Sequence, residues 1–146
     1  MIIKPDGVEK RLIGEILRRV EGIGLTVKSL RMLQLDRKTA SRFYAVHRER
    51  SFFHSLVEYM TSGPVVVAAL EGPNAVSRYR KLIGDTNPDK AEEGTIRRLY
   101  GDSVERNTVH GSDSTENGKI ETAFFFNTAE LEMTDTDTSA DNKSES

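Results

Sequence analysis

An uninterrupted apolar run, VVVAAL at residues 65–70, most constrains how this chain can fold. Gly63-Pro64 breaks the chain before the run and Gly72-Pro73 follows it, so turn residues bound it on both sides. A bounded apolar run of this length predicts a strand that is covered on both faces or lies at the centre of a sheet. The other elements must therefore be arranged around this strand.

The helices are predicted from apolar residues at helical spacing and from the residues that begin or end a helix. Apolar residues recur at helical spacing from Leu12 to Ile23, and the glycines that follow end that helix. Two short helices are predicted at 39–47 and 52–60, and Pro73 is placed to open another. Further strands are predicted at 1–4, 25–35 and 120–126.

The resulting element order is β-α-β-(α-α)-β-α-β. This order predicts an α+β sandwich, with a four-stranded antiparallel sheet covered by helices on one face. Residues 84–119 show little periodicity, and a structureless segment of that length inside a compact domain is often functional.

Composition limits the class of protein. A chain of 146 residues that is 36% hydrophobic can bury one modest core, so a single domain is expected. The absence of cysteine excludes disulfides, zinc-thiolate sites and thiol catalysis. No apolar run approaches the roughly 20 residues that span a bilayer, and the first residues do not resemble a signal peptide. We therefore expect a cytoplasmic protein without membrane contact.

Charge is unevenly distributed along the chain. The formal net charge is −2, yet six acidic side chains and one basic side chain follow residue 128, so the body before them is mildly basic. No dense Lys/Arg cluster with interleaved aromatics is present, and nucleic acid is not indicated. This small excess of positive charge suits the binding of one small polyanion. We expect a domain at 1–132 and an acidic, disordered tail at 133–146.

One of the three histidines, His110, lies in NTVHGSDS at 107–114, among small hydrogen-bonding residues. The chain has neither a P-loop nor a GxGxxG motif, so side chains would have to hold the phosphates of any bound nucleotide. The candidates are Lys4, Arg80, Thr86 and Arg97. A neutral imidazole is nucleophilic near pH 7, which makes histidine a natural phosphoryl acceptor.

Six segments together resemble nucleoside diphosphate kinases, over about residues 1–132. The segments are IIKPDGV at 2–8, SFF at 51–53, YMTSGPVV at 59–66, GDTNP at 84–88, GTIR at 94–97 and RNTVHGSDS at 106–114. The resemblance implies a ferredoxin-like sandwich (βαββαβ). It also implies transfer of the γ-phosphate between nucleotides through a phosphohistidine, with Mg²⁺ as cofactor and low base specificity.

The resemblance implies a role for each matched position. The nucleophile is His110, supported by Ser112 and Glu121 and lined by Tyr44. Lys4 and Asn107 contact the ribose 3′-hydroxyl, with Lys4 also near the transferred phosphate. The phosphate clamp is Arg80, Thr86 and Arg97, and the base stacks on Phe52 beside Leu56 and Val104. No protein metal ligand is implied, because the nucleotide phosphates mainly hold the ion.

The implied partners are nucleoside triphosphates and diphosphates, including ATP, GTP and deoxy forms, and further copies of the chain in a dimer-based tetramer or hexamer. The sequence departs from the family pattern before Lys4, where only three residues stand, and at RRLYGDSVE, residues 97–105. Two alternatives remain open: a ferredoxin-like module that binds nucleotide without turnover, and a phosphocarrier that passes phosphate to a protein.

Overall fold

The structure, a computed structural model, describes residues 1–126. The acidic tail expected at 133–146 lies outside the described residues. Four strands and seven α-helices are present in residues 1–126, and short 3₁₀ helices occupy Ala45–His47 and Pro88–Lys90. The strands are β1 Ile2–Ile3, β2 Thr26–Leu33, β3 Val65–Glu71 and β4 Val109–His110. The helices are α1 Pro5–Glu9, α2 Ile13–Gly22, α3 Arg37–Phe43, α4 Phe53–Met60, α5 Ala75–Ile83, α6 Ile96–Tyr100 and α7 Thr115–Phe125.

The strands form one antiparallel sheet in the order β2-β3-β1-β4, which confirms the expected fold class. The apolar run forms β3, next to the short β1 at the centre. Alternate residues of β3 enter different cores, because Val65 and Val67 pack on one face and Val66 packs on the other. Of the two arrangements predicted for this strand, covered on both faces or central in the sheet, the structure shows covering on both faces.

Helices cover both faces of the sheet. The crossover helices α2 and α5 pack with Ile3 and Val66 on one face, as the fold class requires. The sequence placed helices on one face only, and the structure adds α3, α4 and the end of α7 on the other, around Ile2 and Val67. Complete burial of a side chain such as Ile3 contributes about 1.5–3 kcal/mol, so each layer contributes to holding the two-residue strand β1.

The prediction of a strand at 120–126 is wrong, because residues 120–125 belong to helix α7 and Phe126 ends that helix. Aromatic and β-branched residues in IETAFFF favour a strand by intrinsic propensity. Ser114 instead caps a helix, since its Oγ accepts a hydrogen bond from the Asn117 amide at 3.1 Å. Packing also favours the helix over the strand propensity of this segment, since the Phe125 ring centroid lies 4.9 Å from that of Phe43.

The fourth strand lies instead within residues 84–119, the segment that showed little periodicity. Val109 and His110 form β4 and pair with Ile3 and Ile2. The same segment also contains α6 and the start of α7. Within residues 1–126, no helix has the length and apolar character needed to cross a bilayer.

Two smaller differences have local causes. The Pro5-Asp6-Gly7 turn signal forms the helix α1, because Pro at the first position of a helix is well tolerated. The predicted strand at 25–35 is shorter, and a register shift between Val27 and Ser29 accounts for the slip in its alternation.

Candidate active site

His110 lies at the open edge of the sheet, on the two-residue strand β4. Its backbone pairs with Ile2, and Ile3 pairs with Val109, so the lysine that follows β1 lies beside Thr108, two residues before the histidine. The side chain of His110 is 23% exposed, which leaves the imidazole reachable from solvent. The sheet register therefore sets the spacing of these two groups.

A carboxylate from α7 holds the imidazole. Glu121 Oε1 lies 2.5 Å from His110 Nε2, and Ser112 also hydrogen-bonds the Glu121 carboxylate. An ionised carboxylate only accepts hydrogen bonds, so Nε2 carries the proton and Nδ1 keeps its lone pair. Helix α7, which replaces the expected strand, is therefore the element that places Glu121 beside the imidazole.

The electrostatics favour a neutral imidazole beside an ionised carboxylate. Burial lowers the pKa of His110 below its ordinary value, although Glu121 acts in the opposite direction. Burial acts to raise the pKa of Glu121, but its hydrogen bonds to His110 and Ser112 outweigh that effect and hold the pKa below the ordinary value. At neutral pH the pair therefore presents a nucleophilic nitrogen.

Packing fixes the backbone and the ring of His110. Tyr79 Oη donates a hydrogen bond to the His110 carbonyl at 3.1 Å, and the Phe43 ring lies edge-on to the imidazole at 5.5 Å. A Cβ on Gly111 would come within 2.7 Å of the buried Tyr79 ring, so only glycine fits there. Tyr44 lies 6.2 Å from the imidazole, and its buried hydroxyl has no hydrogen-bond partner among the described residues.

A chain of hydrogen bonds links Lys4 to the GDTNP loop. Lys4 Nζ donates to Asn107 Oδ1 at 2.8 Å, and Asn107 Nδ2 donates to the Thr86 carbonyl at 2.9 Å. Burial and the nearby Arg97 charge lower the pKa of Lys4 to about 8. The lysine is therefore a desolvated cation, which interacts strongly with an anion brought beside it.

Two arginines lie near the histidine in different environments. Arg97 is buried and donates to the carbonyls of Gly84 at 3.0 Å and Val109 at 2.9 Å, while its Nε has no partner among the described residues. Burial lowers the pKa of Arg97. Arg80 is exposed on α5 and reaches the Ser112 carbonyl at 3.3 Å.

The expected base-binding residues lie on α4 and on the loop before β4. Phe52 caps the start of α4 and is 45% exposed, and Val104 is 56% exposed on the loop. Leu56 lies one turn after Phe52 and is partly buried against the core. Ser55 Oγ donates to Glu105 Oε2 at 2.8 Å, so α4 and the loop are joined between two open apolar surfaces.

Contacts in the structure link most of the expected residues into one region. The group around His110 is joined through β4 and Asn107 to Lys4 and Thr86, and Arg97 touches both β4 and the GDTNP loop. Phe52, Leu56 and Val104 form a separate flank joined through Ser55 and Glu105. Sequence reasoning missed three residues that contact this region: Asp6, Tyr79 and Thr108. Their roles in turns and core packing gave no separate signal.

Among residues 1–126, no group of three or more His, Asp or Glu side chains could hold a metal ion. The site instead combines one oriented imidazole with several cations. An antiparallel α+β sandwich with such a site is suited to handling phosphate groups.

Comparisons with known proteins identify the family. A protein-family model described as "Nucleoside diphosphate kinase" matches residues 1–131. The nucleoside diphosphate kinase of Desulforapulum autotrophicum is 54% identical over 130 residues, covering 89% of this chain and 94% of that protein. The corresponding protein of Campylobacter hominis is 57% identical over 125 residues, covering 86% of this chain and 91% of that protein.

Solved structures with a similar fold also belong to nucleoside diphosphate kinases. The Aquifex aeolicus nucleoside diphosphate kinase matches with a TM-score of 0.86 at 43% identity, over 88% of this chain and 94% of that one. A halophilic nucleoside diphosphate kinase from Halobacterium salinarum, solved in complex with CDP, matches with a TM-score of 0.85 at 39% identity, over 88% and 86% of the two chains. The chain belongs to the nucleoside diphosphate kinase family.

Proposed function

We propose that this protein transfers the γ-phosphate of a nucleoside triphosphate to a nucleoside diphosphate through a phosphohistidine at His110. It is a phosphotransferase of the nucleoside diphosphate kinase family. The observation that carries the mechanism is the contact between Glu121 and His110 Nε2, because it leaves Nδ1 as the nitrogen with a free lone pair.

In the first half-reaction, His110 Nδ1 attacks the γ-phosphorus. The bond from that phosphorus to the bridging oxygen breaks, and the diphosphate leaves with the electron pair. The phosphorylated ring gains positive charge, which the Glu121 carboxylate stabilises through Nε2–H. A second nucleoside diphosphate then takes the phosphoryl group by the reverse steps, which restores the free imidazole.

Positioning and charge neutralisation supply most of the catalysis in phosphoryl transfer. Lys4, Arg80 and Arg97 are the cations that we propose for this task, with Thr86 as a further phosphate contact. The unpartnered Nε of buried Arg97 supports the proposal, because a buried donor without an acceptor costs about 1–3 kcal/mol and a phosphate oxygen supplies one. Lys4 and Asn107 are proposed to hold the ribose hydroxyl next to the reacting phosphate.

We propose that the nucleotide binds as its Mg²⁺ complex. The cations and backbone groups of the site suit phosphate oxygens, and the described residues contain no cluster able to hold the ion without the nucleotide. When bound, Mg²⁺ neutralises negative charge on the phosphates.

The phosphoenzyme is the direct test of this function. Incubating the protein with γ-labelled ATP and Mg²⁺, without an acceptor, is expected to give a covalent label that is labile in acid and stable in base. Any nucleoside diphosphate should discharge the label, with ping-pong kinetics. Transfer between nucleotides without such an intermediate would contradict the mechanism.

The same experiment separates the alternatives. A nucleotide-binding module would bind ATP without becoming labelled. A phosphocarrier would be labelled, but nucleoside diphosphates would not discharge it. The exposed aromatic Phe52 and the buried Asn107 favour nucleotides as both donor and acceptor, because they offer a stacking face and a ribose contact.

We predict low discrimination among bases, covering ATP, GTP and deoxy forms. Phe52, Leu56 and Val104 are apolar, and stacking tolerates every base because each has a π face. Changing the acceptor from a guanine to a thymine diphosphate should alter kcat/KM only modestly. A preference above roughly a thousandfold, equivalent to about 4 kcal/mol, would require a specific hydrogen-bonding pocket and would contradict the prediction.

We also propose that residues 1–132 form one catalytic domain that works in the cytoplasm as a dimer-based tetramer or hexamer. The family match over 1–131 supports the domain bounds. The edge strand β2 supports assembly, since Leu30 and Met32 are 51% and 56% exposed on one face of it. The expected solution mass, measured by light scattering, is four or six times that of the 16.4 kDa chain; a monomer would contradict the proposal.

A further inference from the structure

Thr108, two residues before the proposed nucleophile, has a left-handed backbone with φ of 77°. This conformation is unfavourable for a β-branched residue and persists only where its surroundings hold it. Thr108 is fully buried, and both of its backbone groups are bonded to the junction of β1 and α1. Its amide donates to Asp6 Oδ2 at 2.9 Å, and its carbonyl accepts from the Lys4 amide at 2.9 Å.

Asp6 is the fixed partner in this arrangement. Its side chain is 1% exposed, and Tyr59 Oη donates to Oδ1 while the Asp6 amide donates back to Tyr59 Oη at 2.9 Å. The neighbouring Gly7 leaves room for the turn, because a Cβ there would lie 3.0 Å from the Thr108 carbonyl oxygen. Both Asp6 oxygens therefore act as acceptors, as expected of a carboxylate held rigidly by its neighbours.

The turn at Thr108 lies between two residues of the candidate site whose side chains face different groups. Asn107, on one side, faces Lys4 and the GDTNP loop. His110, on the other side, faces Glu121. If the Thr108 amide lost its acceptor, the backbone would be free to relax towards negative φ, and the chain direction between Asn107 and His110 would change.

We propose that Asp6 is a positioning residue for phosphoryl transfer, which holds the left-handed turn at Thr108 and thereby sets His110 and Asn107 relative to Lys4. This inference rests on the proposed function. It concerns a residue that touches neither the nucleotide nor the imidazole and acts through the backbone of Thr108.

The charge of Asp6 adds a second effect that purely mechanical support would lack. The charged groups that act on Lys4 are Arg97, Asp6 and Glu105, and Lys4 in turn acts on His110. Burial and then Arg97 lower the pKa of Lys4 to about 8, while Asp6 and Glu105 oppose that shift. Without the charge of Asp6, Lys4 should lose its proton at a lower pH. The basic limb of kcat/KM, which reports the free enzyme, should then move to lower pH.

The central variant is Asp6→Asn, which keeps the shape, removes the charge and replaces the charge-assisted hydrogen bond at the Thr108 amide with the weaker one that a neutral amide oxygen can make. Near neutral pH we expect phosphoenzyme formation to slow about 10- to 100-fold, as for other residues that orient a reacting group. The basic limb of kcat/KM should also move to lower pH. A variant that only melts at a lower temperature, with unchanged rate and pH profile per folded molecule, would overturn the proposal.

Two control variants separate positioning from general loosening. Tyr59→Phe removes the other partner of Asp6 but leaves the carboxylate on the Thr108 amide, so its rate should stay within about threefold of wild type even if its melting temperature falls. Asp102→Asn breaks an exposed ion pair with Lys10, 2.8 Å long, and should change neither rate nor pH profile. Equal slowing by Tyr59→Phe and Asp6→Asn would overturn the proposal.

Glycine at Thr108 provides the rescue. Glycine adopts positive φ without strain, so Asp6→Asn combined with Thr108→Gly should regain at least about tenfold of the lost rate. If Asp6→Asn alone does not fold, the double variant replaces it, and a folded double variant without phosphoenzyme would overturn the proposal. Wild-type labelling is measured first, because its absence would refute the proposed function rather than the role of Asp6.

Discussion

Replacing His110 with alanine or glutamine is expected to abolish phosphoenzyme formation and nucleotide turnover, while nucleotide binding persists. The loss should be at least about 10⁴-fold, because no other group can take the place of the nucleophile. Binding should persist because Lys4, Arg97 and Phe52 remain. The measurements are acid-labile labelling, coupled turnover and nucleotide affinity by calorimetry.

His54 provides the matched control. It is an exposed histidine on α4, and in the described part of the chain its ring contacts that of Phe53 at 5.6 Å. His54→Gln should label and turn over at the wild-type rate. The mechanism is falsified if the His110→Ala protein still forms the phosphoenzyme.

Replacing Arg97 with lysine is expected to give the second largest loss, about 10²- to 10³-fold in the rate of phosphoenzyme formation. Lysine keeps the charge but loses the planar fork that reaches the Gly84 and Val109 carbonyls while leaving Nε for another acceptor. Rapid-quench labelling measures the rate, and thermal melting reports the accompanying loss of stability.

Arg98 is the control for that experiment, since it lies on the same helix but donates to the backbone of Pro88 and Asp89 rather than to β4. Its Nη1 donates to the Asp89 carbonyl at 3.1 Å, and the side chain is exposed. Arg98→Lys should leave the labelling rate within about twofold of wild type. An Arg97→Lys protein with a wild-type labelling rate would exclude Arg97 from the phosphate clamp.

The sequence predicted the centre of the fold better than its edges. The run at 65–70 carries its own burial signal, so β3 was predicted together with its two-sided covering. A strand of two residues such as β4 has no periodicity to detect, and only pairing with Ile2 and Ile3 defines it. The segment at 120–126 was misassigned because its aromatic residues favour a strand, whereas the Ser114 cap and contact with Phe43 impose a helix.

The residues of the candidate site also fall into those that the sequence identifies and those that it does not. Residues with recognisable chemistry, such as His110, Lys4 and Arg97, stand in motifs and can be named from the sequence alone. Asp6 stands in the same KPDG motif but reads as a turn residue between proline and glycine. Its hydrogen bond to a residue 102 positions away is a tertiary fact that local sequence cannot show.

The pairing of β1 with β4 also has a consequence for biosynthesis. Lys4 emerges near the beginning of translation, but its partner Asn107 lies 103 positions later, and Glu121 is later still. The central strand β1 can pair fully only after β3 and β4 have been synthesised. Bringing β1 and β4 together closes a loop of about 100 residues, so this step is slow compared with local helix formation. A ribosome-bound chain that ends between residues 110 and 121 contains the proposed nucleophile but not the carboxylate that orients it, so competence for phosphoryl transfer is expected only when nearly all of the domain has been made.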